Sequence, residues 1–401
     1  MPVTISRRNG SSKLNMMRLQ TIENKEYLPP SNEVLSEVKY PKWAPTWEKD
    51  QDHQFDHIGV FKHVDRGFFG DFRFKSLKNS DVKFKHVSPK LGLEVDGIQL
   101  SNLNNQQKDD LALLVETYGV VAFRNQDFKD QGFEEIKDWG RYFGPLHIHP
   151  TRGAPKNQPE FHLVFAKGGL EVNKDLFKDR LHKVSWHSDV SYETQTPGIT
   201  AFTMLQTGPS GGDTQFLDMF EVYDRLSPLM KSRIKDLKAL HSSKAQAEEA
   251  SKSGSIERKN PIESIHPIVR YHPVLKRKCL FVNRGFTRRI LGLKTEESNK
   301  LLAFLLKHIE SCLDAHIRLS WDENTVVVWD NRRVQHTATH DWPDTNCIRH
   351  AFRVTTIAER PIGSQEEYEK WSPHLEKESI KHTEYIANLS PEEYFEQFIQ
   401  S

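Results

Sequence analysis

From about Val82 to Ile357 the chain is cut into short apolar runs, most too brief for a helix and many closed by Gly, Pro, Asn or Asp. Val120-Val121-Ala122-Phe123, Thr200 to Leu205, Thr214 to Leu217, Lys278 to Val282 and Thr325 to Trp329 are of this kind. Phe84 to Val87, Gly92 to Leu100, His266 to Arg270, His316 to Trp321 and Arg349 to Ile357 read as further strands. Helical periodicity interrupts them. Gln106 to Thr117 puts Leu111, Leu114 and Val115 on one face, and Asp130 to Tyr142 is closed by Gly144-Pro145. Met219 to Leu240 reads as a helix broken near Ser227-Pro228. In Glu296 to Ile309, acids fill the first turn and Leu301, Leu302, Leu305, Leu306 and Ile309 form a stripe. This alternation predicts a mostly β fold with flanking helices, built on a jelly-roll (double-stranded β-helix) core.

Around that core, residues 81–362, the chain divides by composition. Residues 1–28 are basic, with no acid before Glu23 and no apolar stretch suited to secretion, and read as a disordered tail. Their faint likeness to a mitochondrial presequence is the alternative to a cytoplasmic location. Residues 29–80 read as an arm lying over the main domain, and 363–401 as a partly helical tail. Residues 242–261 are polar and small, a possible lid or a plain surface loop. Lys and Arg total 56 against 55 Asp and Glu, so no global field favours nucleic acid or an anionic membrane. No apolar run is long enough for a bilayer-spanning helix. Cys279, Cys312 and Cys347 are odd in number and widely spaced, which argues against a disulfide framework and for a reducing compartment. No GxGxxG, GxxxxGK[ST] or GxSxG motif is present, so dinucleotide, P-loop and serine-hydrolase chemistry have no support.

Trp186 to Glu193 holds His187 and Asp189, two apart and so on one side of an extended segment. Alone, such a pair is ordinary surface strand. A distant His would complete a 2-His-1-carboxylate triad with positions open for a co-substrate and oxygen on Fe(II). His336, after the buried run Val326 to Trp329 and the turn Asp330-Asn331-Arg332, is one candidate; His340 is the other. Arg349 and Arg353, four apart in a strand-like segment, share a face, where two guanidiniums call for anions. A dicarboxylate co-substrate would satisfy one and an anionic primary substrate the other.

The stretches RYFGPLHIHPT, WHSDVSYE, GPSGGDTQF, HPIVRYHPV, FVNRGFTRRI, TVVVWDNRRVQHTA and RHAFRVT occur in this order between Arg141 and Thr355. Together they resemble the taurine dioxygenase (TauD/TfdA) family of Fe(II)/2-oxoglutarate-dependent dioxygenases, most of all its fungal sulfonate dioxygenase branch. The resemblance implies iron ligation by His187, Asp189 and His336, the ligand following the Gln directly. It implies that Thr214 and Arg349 grip the distal carboxylate of 2-oxoglutarate. Arg353, shared between the co-substrate and substrate ends, would reach the primary substrate's anionic head, helped by His149. Phe286 would be a pocket wall, or core. Arg152 and Lys183 stand where a Tyr and an Asn would contact taurine; they cast doubt on taurine itself and keep an anionic substrate. The implied reaction consumes O2, and a homo-oligomer, dimer or tetramer, is the expected assembly.

Other readings keep the iron chemistry on an alkyl sulfate, an aryloxy or carboxylic acid, or a purine; Arg353 weighs against the last. A non-catalytic anion-binding protein would be signalled by a lost ligand residue, and all three are present. His147, His266, His272 and His350 read as structural.

Overall fold

The short apolar runs become strands whose side chains alternate between two cores. The computed structural model describes residues 20–22, 25–27, 32–46, 53–167, 178, 181–182, 184–252, 255–342, 347–376 and 379–400. Lys183 and most of the expected tail lie outside them. Within that tail, β1 (Gln20–Ile22) pairs antiparallel with β2 (Lys25–Tyr27), a local hairpin of residue types that include the strand-favouring Thr21, Ile22 and Tyr27. The single turn α1 (Asn32–Ser36) follows.

The main unit starts with β3 (Lys83–His86) and β4 (Leu93–Asp96). Next comes α2 (Asn105–Tyr118), started by a reciprocal cap between Asn104 and Gln107 and ended by Gly119 at φ 75°. Then come β5 (Val120–Phe123), α3 (Phe133–Arg141), β6 (His162–Lys167), β7 (Pro197–Gln206) and β8 (Thr214–Asp218). The excursion that follows holds α4 (Met219–Asp224), α5 (Pro228–Ile234), β9 (Lys238–Ser242), α6 (Lys244–Lys252), β10 (Glu263–Pro267), β11 (Val269–His272), β12 (Arg277–Leu280), β13 (Thr287–Ile290) and α7 (Thr295–Ser311). The chain returns through β14 (His316–Leu319), β15 (Val326–Asp330), β16 (Val334–Ala338) and β17 (Ile348–Ile357). It ends in α8 (Gln365–Lys370), α9 (Ser379–Asn388) and α10 (Pro391–Phe398).

The larger sheet runs β3-β4-β5-β15-β7-β17-β6, antiparallel except between β4 and β5. The smaller runs β14-β8-β16. On the outer face of the larger sheet, Val121, Phe123, Ala201, Val326, Val328, Phe352 and Val354 share a core with Leu111, Leu114 and Val115 of α2 and Ile136 of α3. Its inner face sends Ala122, Phe202, Met204, Val327, Trp329 and Ala351 against Phe216, Ile317, Leu319 and Val334 of the smaller sheet. Burial on both faces is why these strands read as continuous apolar runs rather than alternating ones. The helical excursion has its own core around Phe220, Ile268, Leu280, Leu302 and Leu305.

Several expectations change. Leu240 belongs to strand β9, not to a helix reaching it from Met219; pairing with β10 and β13 overrides local propensity. His187 forms one isolated bridge rather than a strand, and the chain then turns through Val190 at φ 36°. Residues 242–261, read as core-free, hold α6 with Ala247 and Ala250 buried, then buried Ile256, Arg258 and Lys259. Small residues serve as core where a helix packs closely. The arm does more than lie over the domain: the Trp43 indole is fully buried and stacks on Phe352 of β17, centroids 4.0 Å apart and planes at 5°.

Candidate metal centre

β16 pairs with β8 so that His336 stands opposite Phe216, and both face the gap between the sheets. His187 reaches the same place from a distant loop. Its N–H donates to the His336 carbonyl at 3.2 Å, and the His336 N–H returns a bond at 2.9 Å. Asp189 is set by the turn that follows, where its N–H donates to Asn331 Oδ1 at 3.2 Å. Nε2 of His187 and Nε2 of His336 each lie 3.7 Å from Asp189 Oδ1. One donor atom from each of the three residues falls within 4.8 Å of the others. His187 Nδ1 donates to the Ser185 carbonyl at 2.8 Å, which fixes the tautomer and leaves an Nε2 lone pair toward Asp189. Burial lowers the pKa of both imidazoles, that of His336 to about 3, so both are neutral. Burial opposes ionisation of Asp189, but Arg353 and the two imidazoles hold its pKa below the usual value. Among the described residues, the buried Asp189 Oδ2 has no hydrogen-bond partner. His340, the competing residue, lies past the end of β16 with Nδ1 3.2 Å from the Ala338 carbonyl, outside this cluster.

Arg349 lies on β17 and is buried. Its Nη2 donates to the Gly212 carbonyl at 2.8 Å, while the buried Nη1 has no partner among the described residues. Its guanidinium carbon is 5.9 Å from both the Phe202 and Trp321 rings. Burial lowers its pKa to about 10, with Asp213 acting against the shift. Gly212 lies at φ 68°, and a Cβ there would sit 3.1 Å from Arg349 Nε, so glycine suits both the turn and the close approach. Thr214 Oγ1 accepts from the Trp321 indole N–H at 3.1 Å, so one indole touches both residues expected to grip a co-substrate.

At the expected substrate end, Arg353 donates from Nη1 to Asp189 Oδ1 at 2.7 Å, because a buried carboxylate draws the nearest cation. His149 is buried and its Nδ1 accepts the Thr151 N–H at 3.2 Å. Arg152 is exposed, and Lys183 is outside the described residues. Phe286 packs with Val190, Tyr192 and Ile262 as core, and its ring centroid is 6.2 Å from that of His187. The histidines read as structural have partners: His147 the Glu193 carboxylate, His266 the Glu193 carbonyl, His272 Asp330 and His350 the Trp43 carbonyl.

Sequence reasoning misses three contributors. Asn331 seats Asp189, and its place in the turn before Gln335-His336 was the available signal. Glu193, in the Asp189 motif itself, binds His147 and His57 at 2.8 Å each. His162 packs against His149 with its ring tilted and has no motif to mark it. A second group that could hold a metal by its geometry, His63, Asp65 and Glu359, is already bound through both acids to the Arg332 guanidinium.

Residues 83–355 match the family described as "Taurine catabolism dioxygenase TauD, TfdA family". The chain is 45% identical over 328 residues to an "Alpha-ketoglutarate-dependent sulfonate dioxygenase" of Saccharomyces cerevisiae, covering 81% of this chain and 79% of that protein. It is 40% identical to the "Alpha-ketoglutarate-dependent dioxygenase cnsM" of Penicillium expansum, covering 81% and 91%. In fold it is similar to a crystal structure of a taurine dioxygenase from Burkholderia xenovorans, with TM-score 0.58, 24% identity and coverage of 71% of this chain and 91% of that one. The chain belongs to the TauD/TfdA dioxygenase family.

Proposed function

We propose that the protein is an Fe(II)- and 2-oxoglutarate-dependent dioxygenase that hydroxylates a small anionic substrate, an alkyl sulfonate foremost. The two facing sheets are read as a double-stranded β-helix, with residues 81–362 as the dioxygenase unit and the arm 29–80 integral to it. The observation that carries the reading is the set of two neutral imidazoles and one carboxylate brought together beside the gap between the sheets, the donor chemistry of a facial triad. The fit extends to single atoms: His187 has its Nε2 lone pair free, and Asp189 Oδ2 is buried and unpartnered. His187, Asp189 and His336 would hold the iron, which together with 2-oxoglutarate supplies oxygen activation coupled to loss of carbon dioxide and release of succinate.

The chain's own residues bind, orient and exclude water. Arg349 offers an unpartnered Nη1 to the far carboxylate of the co-substrate. Thr214 already accepts from Trp321, so its own O–H is left to donate to that carboxylate. Phe216 and Trp329 flank the His336 ring, with centroids 5.9 and 5.1 Å away, and keep water from one side of it. Arg353, which bonds Asp189, and the buried His149 would receive an anionic head. Hydroxylation of a carbon bearing a sulfonate yields an aldehyde and sulfite. The sulfonate assignment draws on the activity named for the yeast relative.

Anaerobic addition of Fe(II) and 2-oxoglutarate should give the weak visible charge-transfer band of the chelate. Oxygen with a panel of sulfonates, sulfates and carboxylic acids should then give succinate, with sulfite from a sulfonate. Succinate without sulfite would move the substrate to another acid. Absence of the band in folded protein, or an iron-replete, active His336→Ala variant, would overturn the reading.

A further inference from the structure

The inner face of β6 carries a residue that the roles above leave unused. His162 pairs directly with Arg353 across β6 and β17, so the two side chains leave the sheet on the same side. Arg353 reaches Asp189 on that side. The His162 ring packs on His149, with centroids 4.2 Å apart and planes at 51°. Among the described residues, its buried Nδ1 has no hydrogen-bond partner. A buried polar nitrogen left in this way destabilises the fold unless something supplies the bond.

Other donors surround the same space. His149 accepts at Nδ1, so in its neutral form the proton sits on Nε2, which remains able to donate. Arg353 uses Nη1 on Asp189, while its buried Nε has no partner among the described residues. Burial, helped by the charges of Arg353 and Arg152, lowers the pKa of both imidazoles, so both are neutral. These groups come from three elements: the loop carrying His149 and Arg152, β6 and β17. His162 and Arg353 stand side by side on one face of the sheet, and His149 comes to them from the loop. A carboxylate presents two oxygens in one plane, whereas a sulfo group presents three, splayed.

We infer that His162 is a substrate-binding residue: its Nδ1–H and the Nε2–H of His149 each bond one oxygen of a tetrahedral sulfo head, C–SO3⁻ or O–SO3⁻, and Arg353 takes the third. This arrangement selects a sulfo head over a carboxylate. The inference rests on the substrate site proposed above and names its ligand class.

The test is calorimetric binding of hexanesulfonate, hexyl sulfate and heptanoate to the full-length protein, with steady-state kinetics on the same three compounds. Wild type, His162→Leu and His162→Asn are compared, with circular dichroism to confirm folding. Wild type should bind the two sulfo compounds at least tenfold more tightly than heptanoate. His162→Leu should lose about tenfold or more on the sulfo compounds and less on heptanoate, as expected for one lost bond to a charged group. Its KM for 2-oxoglutarate should not change. His162→Asn, which keeps an N–H near the Nδ1 position, should recover most of the loss. Sulfite or sulfate release tells which sulfo compound is turned over. Equal losses on all three heads, unchanged sulfo binding in His162→Leu, or no recovery in His162→Asn would overturn the inference. Selective sulfo binding without succinate formation would support it while overturning the proposed reaction.

Discussion

Arg349 shows at the scale of one residue how function competes with stability. A cation buried between Phe202 and Trp321 with one bonded and one orphaned nitrogen is an unfavourable arrangement for the empty fold. Replacing it with Met should therefore leave the thermal midpoint of the ligand-free protein unchanged or raised. The same variant should raise the KM for 2-oxoglutarate about tenfold or more, since a charge-assisted bond contributes about 1.5–3 kcal/mol. In wild type, 2-oxoglutarate should raise the midpoint by mass action, and that rise should vanish in Arg349→Met. A clear drop in the ligand-free midpoint would instead make Arg349 a structural residue.

The decisive element is the turn between β15 and β16. Asn331 in this turn holds Asp189, and β16 then presents His336. Arg332 fixes the turn by bonding carboxylates from four places: Asp65 in the arm, Glu116 on α2 at 2.8 Å, Asp330 at 2.8 Å and Glu359 after β17 at 3.2 Å. Burial and the adjacent negative charge of Asp65 push Glu116 well above the usual carboxylate range, so it keeps its proton and the cluster carries less charge than its composition suggests. Arg332→Met should destabilise the protein by about 3–5 kcal/mol in urea unfolding, because the remaining acids lose their cation. A loss below about 1 kcal/mol would mean that the acids are neutralised by other means.

Over the whole molecule, the arm is tied to the site by charge as well as by Trp43. Glu193, four residues past Asp189, accepts from His57 of the arm and His147 of the core, with Lys259 at 3.9 Å. His57 directs its two ring nitrogens at Glu193 and at the Asn260 carbonyl, so the doubly protonated form suits it. Burial opposes that charge, but the bond and charge of Glu193 outweigh it and raise the His57 pKa. Because the folded pKa lies above the unfolded one, the stabilisation is fully present below pH of about 6.5 and is lost as pH rises through the folded value. Urea unfolding between pH 6 and pH 9 should show this fall in wild type and not in His57→Gln. Parallel curves for the two proteins would remove His57 from the account.

The sequence by itself determined the strand-rich core, the long helix Thr295–Ser311 and the residues that converge as a candidate metal centre. Apolar runs and polar spacings at short range are written directly in the chain. His187 with Asp189, and Arg349 with Arg353, were legible for that reason, and the ordered motifs pointed to His336. Only the tertiary structure decided that Leu240 is strand, that Trp43 of the arm stacks on Phe352, and that residues 242–261 bury a helix face. It alone placed Asn331 on Asp189, Arg332 among four acids and His162 opposite Arg353. Each of these depends on partners brought together from distant parts of the chain, where burial and cross-strand register, rather than local propensity, set the energy.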